Sequence, residues 1–392
     1  MIQEQDGNYS LWKTAFRKFS SDWWALIGLG GITGMFLLAL CAPLLANGRP
    51  LLLYRSSGLE FPFLYYIFSP DSPEIIVEKI FNFLLLFLPL ACLSLIFIKK
   101  MKFRAVFLGI AAVLILIPFI LMKPRLDKTN WRDIDKELSK NEFAVFAPIP
   151  YGPFENISTP YEKMSWKHWF GTDKIGRDIL ARMLYGARVS LAVGIIATGL
   201  ALIVGVIIGM IAGYFGGGTD IIIMRIVEII ICFPTFLLLL ILMSIMLDYK
   251  FEQSILLVIV VIGLTGWTGL CRLVRGEVLK QRALPYILSC ESIGLPTWRI
   301  MLFHLLPNVT GPILVSFTFG VAGAVLAESG LSFLGFGVQP PTASWGKLLR
   351  QAFDDPFTYW HLTLWPGLAI FILVCAFNFT GEGLRKVISP DS

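Results

Sequence analysis

Long apolar runs separated by shorter polar stretches dominate this chain. A helix needs about 20 mostly apolar residues to cross hydrocarbon, because its backbone polar groups must be satisfied internally. Runs at roughly 23–46, 79–98, 103–122, 187–214, 221–247, 254–272, 308–328 and 362–381 meet that requirement and predict about eight spanning helices. The last begins beside Trp360 and Trp365, the aromatic type favoured at membrane interfaces. The first run follows a basic tail with Lys13, Arg17 and Lys18, and it is longer than a signal-peptide core. Leu40 is bulky where a lipoprotein signal ending at Cys41 needs a small residue, so this run is read as a first span. Two regions between spans, 47–78 and 123–186, are rich in Pro, Asp and Lys but also carry Tyr54, Phe61, Phe63, Tyr65, Trp131 and Phe143. That aromatic content predicts a small ordered cap rather than a solvated linker.

Composition agrees with the pattern. Of 392 residues, 56% are hydrophobic and 15% charged, against about 25% charged in soluble chains. The net charge of +6 lies mainly between apolar runs, which fits membrane orientation and predicts no nucleic-acid partner. Lys99, Lys100, Lys102 and Arg104 mark the loop between the second and third spans as cytoplasmic. Arg272, Arg275, Lys280, Arg282 and Arg299 do the same for 272–307. With an even number of spans both termini are then cytoplasmic, in agreement with Arg385 and Lys386 near the end. The six cysteines stand singly and the three histidines are scattered, so neither a disulfide framework nor a metal site is expected.

The fourth run carries Ala197, Ala201, Gly205, Gly209 and Gly213 at a spacing of four, one helix face on which another helix can approach closely. In the fifth, Arg225 and Glu228 are three apart and able to pair. No other run shows mid-membrane acidic residues of the kind ion-coupled carriers use. Tyr286 to Ser292 reads as a short helix, with Gly294 free to take the positive φ that ends it. Pro296 suits the first turn of a second helix, running through Trp298 to Leu306 and Pro307 before the next span begins. Such a pair makes a cytoplasmic knob that a bundle does not need for its own packing.

The stretch Tyr286-Ile287-Leu288-Ser289-Cys290-Glu291-Ser292-Ile293-Gly294, followed by His304-Leu305-Leu306-Pro307-Asn308, resembles the EAA coupling loop of ABC importer permeases. Gly294, Leu306 and Pro307 keep that family's pattern. Leu288 stands where the family has an acidic residue, and Ser289 and Cys290 where it has two alanines, so the usual salt bridge lacks its carboxylate. The resemblance marks Tyr286, Ser289, Cys290, Glu291, Gly294, Trp298, Leu306 and Pro307 as the ATPase-coupling loop. Phe170 to Asp178, then Tyr185 to Leu191, is similar to the lead-in of the permease core in oligopeptide and dipeptide importers. Gly330 to Gly337, Pro340-Pro341 and Ser344-Trp345-Gly346 are similar to its later part. Asp173 can accept from exposed backbone amides in that lead-in, and its spacing does not match a calcium loop.

The resemblance implies an all-α, polytopic bundle: a six-helix permease core of the C type with about two extra helices. Its parts would be a cytoplasmic tail and first span (1–46), an outward insert with the extra helices at about 79–98 and 103–122 (47–164), and the core (165–392) with its coupling loop at about 282–307. The outward insert is similar to that of the microcin C importer branch, through Phe146-Ala147-Pro148-Ile149-Pro150. The implied partners are a homologous permease, one or two P-loop ATPases that bind ATP and magnesium, an extracytoplasmic peptide-binding protein and membrane lipid. The implied place is the bacterial inner membrane. The chain has no GxxxxGK[ST], so nucleotide chemistry belongs to a partner, and no cofactor is expected here. A secondary transporter or channel, an intramembrane protease and an export permease are the rival readings. The chain shows neither the mid-membrane ionisable residues or broken repeats that would favour the first nor the paired catalytic groups the second needs, and its knob resembles the importer type rather than the third.

Overall fold

The computed structural model describes residues 7–55, 58–70, 72, 74–122, 131, 134, 142–156, 158–249, 255–353 and 355–388. Trp131 and Ile134 apart, residues 123–141 of the predicted outward stretch 123–186 lie outside them. So do both chain ends and the connection 250–254.

The helices are α1 (Gly7–Ser21), α2 (Trp23–Leu40), α3 (Ala42–Leu45), α4 (Pro62–Phe68), α5 (Ile75–Phe97), α6 (Met101–Leu121), α7 (Ile179–Phe215), α8 (Gly217–Ile231), α9 (Thr235–Asp248), α10 (Ile255–Arg282), α11 (Pro285–Ser292), α12 (Thr297–Leu334), α13 (Trp345–Gln351) and α14 (Trp360–Ile388). Among the described residues seven are long and apolar enough to cross a membrane, and the pair α8–α9 brings the number to eight if it counts as one span. Most extend past the apolar runs that announced them, because helical hydrogen bonding does not stop where hydrocarbon does.

The fifth predicted span, 221–247, is not one straight helix. It breaks between Ile231 and Thr235 and bends by 82°. Pro234 has no amide proton and disfavours a helical residue before it, so the ladder ends with the Cys232 amide on the Glu228 carbonyl. The second helix of the predicted knob also differs, as it does not stop at Pro307. It runs on through Leu334 by way of a π-helical stretch, Ile300–Leu305. There the Leu306 amide reaches back five residues to Met301.

A short sheet joins the helices. β1 (Leu52–Arg55) pairs antiparallel with β2 (Gly58–Glu60) and with β3 (Phe143–Val145), giving the order β2-β1-β3. Leu53 is buried at its centre, and Tyr54 stacks on Phe143 at 5.6 Å. These aromatics belong to an ordered element, as their density predicted. The chain divides into two compact units, one of Met1–Gly34, Leu191–Gly337 and Leu368–Ser392, the other of Met35–Ser190 and Val338–Gly367.

In the first unit, the small-residue face of α7 meets α10. A Cβ on Gly205 would lie 2.7 Å from the Leu270 Cβ, and one on Gly209 2.6 Å from the Cys271 carbonyl oxygen. Gly213 is as tightly placed against Arg275 and Val278. Backbone cannot yield as a side-chain tip can. Gly209→Val should therefore lower stability by about 1–3 kcal/mol, read as an earlier unfolding midpoint in micelles. The open position Gly199, with nothing within 4 Å, should accept the same change unaltered.

Candidate functional site

The knob is built from a proline start and a glycine stop. Pro285 occupies the first turn of α11, where its missing amide is not needed. Gly294 takes φ +77, and the Leu295 amide closes back on Cys290 at 3.1 Å while the Gly294 amide bonds Glu291 at 2.9 Å. Pro296 is extended and opens α12. The base of the knob is buried: Ile287, Ile300 and Leu305 pack with Met210 and Tyr214 of α7, Val274 and Val278 of α10, and Val309 and Ile313 of α12. Burial of such side chains contributes about 1.5–3 kcal/mol each, so the knob is fixed to three long helices.

Polar contacts orient it further. The Tyr214 hydroxyl donates to Glu291 Oε1 at 3.0 Å, joining α7 to α11. The Tyr286 hydroxyl donates to Gln281 Oε1 at 2.8 Å and accepts from Asn308 Nδ2 at 3.3 Å. Burial pushes the Tyr286 phenol above its ordinary range, so it remains a neutral donor.

The coupling residues named from sequence are thus brought into one segment with different tasks. Tyr286 and Glu291 brace, and Cys290 and Leu306 pack against the buried base. Gly294 turns the chain, and Ser289 donates only to its own helix, at Pro285 O. Trp298 is 60% exposed and Pro307 is also exposed. Sequence reasoning missed Ile293, at 79% exposure, and the apolar role of Leu288, at 52%. With Trp298 they leave an apolar crown on a rigid base. The signal for Leu288 was present as the departure from an acidic residue.

The family described as "Binding-protein-dependent transport system inner membrane component" matches residues 205–392, and "N-terminal TM domain of oligopeptide transport permease C" matches 10–57. Dipeptide transport system permease protein DppC of Bacillus subtilis is 37% identical over 286 residues, 68% of this chain and 87% of that protein. The chain belongs to the binding-protein-dependent transport permeases. Glutathione transport system permease protein GsiD of Pectobacterium atrosepticum is 33% identical, over 71% of this chain and 96% of its own length. Oligopeptide transport system permease protein OppC of B. subtilis is 37% identical, over 63% of this chain and 80% of its own. The chain is therefore a C-type importer permease, a multi-pass inner-membrane protein and not a catalytic subunit. Neither family match reaches 58–204.

In this permease the Asp-rich lead-in to α7 is a closed polar network. Asp173 Oδ1 accepts from the Ile175 and Arg177 amides, each at 3.0 Å, and its Oδ2 pairs with the Arg177 guanidinium at 2.7 Å. The role expected of Asp173 holds for the turn, whereas the helix itself is capped by Asp178, whose Oδ1 accepts from the Ala181 amide at 2.8 Å. Asp178 Oδ2 meets His168 Nδ1 at 2.8 Å, and His168 Nε2 meets Ser158 Oγ at 2.7 Å. Burial pushes the Asp178 carboxyl up, opposed by the Ala181 amide and His168. This relay latches the loop around 158–178 onto the start of α7.

Several charges inside the helices find protein partners. Arg225 and Glu228 pair at 2.7 Å and are largely exposed, as a structural pair would be. Asp220 of α8 pairs with Arg275 of α10 at 2.5 and 2.6 Å, a link the sequence did not reveal. Two buried acidic residues lie towards the ends of spanning helices, Glu78 and Glu328. Glu328 accepts from the Ser332 hydroxyl at 2.7 Å. Glu78 pairs with Arg188, whose guanidinium also donates to Asn82 Oδ1 (2.8 Å), Ala39 O (2.7 Å) and Leu40 O (3.0 Å). The apolar-run boundaries had excluded Glu78 and placed Glu328 at an end.

Proposed function

We propose that this permease imports short peptides as one of two homologous membrane subunits, driven by one or two cytoplasmic P-loop ATPases. The apolar crown of Leu288, Ile293 and Trp298 on the buried base of the knob is the observation that carries the proposal. A side chain pushed by a partner moves a helix only if its footing is rigid, and this footing is shared by α7, α10 and α12. ATP and magnesium bind the partners, and their closure presses on the knob, Tyr286 to Pro307. Two conformations interconvert through a ligand only when it contacts them differently, and the crown supplies that contact. The loss of the family's acidic residue at Leu288 makes docking here chiefly apolar.

Peptide cargo is supported by the relatives, named for dipeptides, oligopeptides and glutathione. A cleft among α7, α9, α10 and α12, lined by Thr198, Thr235, Thr265, Ser316 and Gly320 among others, offers small and hydroxyl side chains. Such walls accept a peptide backbone with little selection for its side chains. A peptide-binding protein delivers the cargo from the outer face. Residues 47–164 form an insert carrying the two extra helices, and 165–392 the core.

Two experiments test this reading. Trp298→Asp in the assembled importer should cut peptide-stimulated ATP hydrolysis and uptake together by about tenfold, as loss of a buried aromatic anchor does. Unaltered rates would contradict docking at the crown. For orientation, a single cysteine at Lys100 should react with an impermeant thiol reagent in inverted vesicles but not in intact cells. The reverse labelling would overturn the assignment of cytoplasmic termini.

A further inference from the structure

We propose that the tip of the α5–α6 hairpin is a binding surface for the headgroups of anionic phospholipids in the cytoplasmic leaflet. This rests on the orientation proposed above but on neither cargo nor ATPase. The tip is three residues long, Ile98 to Lys100, and places Lys99, Lys100, Lys102 and Arg104 within six positions. Arg104 is engaged: its Nε and Nη2 donate to the Ile98 carbonyl at 3.2 and 3.0 Å, which fixes the turn. Lys99, Lys100 and Lys102 are exposed, and none has a carboxylate partner among the described residues. The first turn of α6 contains no acidic residue, so no carboxylate there offsets the repulsion among these cations.

Apolar side chains interleave with the cations. Ile96 (71% exposed), Phe97 (77%), Met101 (82%) and Phe103 (64%) surround the lysines, and Lys100 Nζ lies 5.9 Å from the Phe103 ring centre. The apolar surface continues along both helices through Leu95, Val106 and Ile110. α6 buries only Ala111 and Phe119 along its whole length. A face this apolar over a full span belongs in hydrocarbon, which puts the tip at headgroup depth. Juxtamembrane clusters of lysine are attracted to anionic lipid by about 1 kcal/mol per residue. Lipid rather than an acidic protein segment is favoured because apolar exposure persists up the hairpin instead of ending at the tip. The surface gives the extra helices a lipid-reading role.

The test uses the full chain, purified in gentle detergent, stripped of lipid and titrated with phosphatidylglycerol or phosphatidylcholine of identical acyl chains. Bound lipid is counted by native mass spectrometry. Phosphatidylglycerol should be retained about tenfold better, and Lys99→Gln/Lys100→Gln/Lys102→Gln should abolish that preference while leaving phosphatidylcholine retention and the unfolding midpoint unchanged. A preference for phosphatidylglycerol as large in the triple variant as in the natural chain would overturn the proposal. So would displacement of the lipid by an equal concentration of inorganic phosphate or polyglutamate, showing a general anion or acidic-peptide site. Failure of the importer reading would leave this measurement untouched, and failure of the orientation would appear at the cysteine placed at Lys100.

Discussion

Arg188→Met is expected to be the most damaging single substitution in the membrane region. It would leave the buried Glu78 carboxylate and the Asn82 side chain without their cation, and the Ala39 and Leu40 carbonyls at the end of α2 without their donor. Removing one member of a buried charge pair costs about 3–5 kcal/mol, mostly because the other is left uncompensated. The unfolding midpoint in micelles should fall accordingly, with less protein inserted. The Phe81 and Tyr185 rings, each 5.4 Å from the guanidinium, would lose a cation as well. Glu78→Gln should be milder, since Arg188 keeps three neutral acceptors. Arg188→Met combined with Glu78→Gln should recover part of the loss. A single Arg188→Met variant as stable as the natural chain would show that the network does not hold α5 to α2 and α7.

Gly294→Val is expected to separate transport from ATP hydrolysis. The residue is at φ +77, and no atom lies within 4 Å of where a Cβ would stand. The penalty is therefore backbone strain, about 1–3 kcal/mol for a β-branched side chain in the left-handed region. The link between α11 and α12 should relax to negative φ and re-aim Ile293 and Trp298. Peptide uptake should fall by at least about tenfold, the factor that 1.4 kcal/mol commands, with insertion and basal ATP hydrolysis retained. Gly294→Asn, which tolerates positive φ better, should keep most of the uptake. Normal uptake by a well-inserted Gly294→Val variant would contradict the coupling role.

Much of this was legible in the sequence because lipid allows few solutions. The number of spans, the close face of α7 and the positive φ at Gly294 each follow from a residue type that admits little else. The bend in the fifth run was also written there, as Phe233-Pro234, but averaging hydropathy over 20 residues hides one missing amide. The π stretch before Leu306 leaves no such mark, since it depends on hydrogen-bond register. Arg188–Glu78 and Arg275–Asp220 join residues 110 and 55 positions apart, which spacing along one helix cannot reveal. The three strands are three or four residues long, too short for alternation to show. Within the knob, the sequence located the segment and its turn. Which members brace and which face outward required the packing of Ile287, Ile300 and Leu305.

The most direct measurement is affinity purification of the tagged full chain from its native membrane in gentle detergent, with the retained proteins identified and ATP hydrolysis assayed. Recovery of a second permease together with one or two P-loop ATPases, with hydrolysis raised by peptide-loaded binding protein, is the predicted result. A stable, well-folded complex with no ATPase in it would contradict the account.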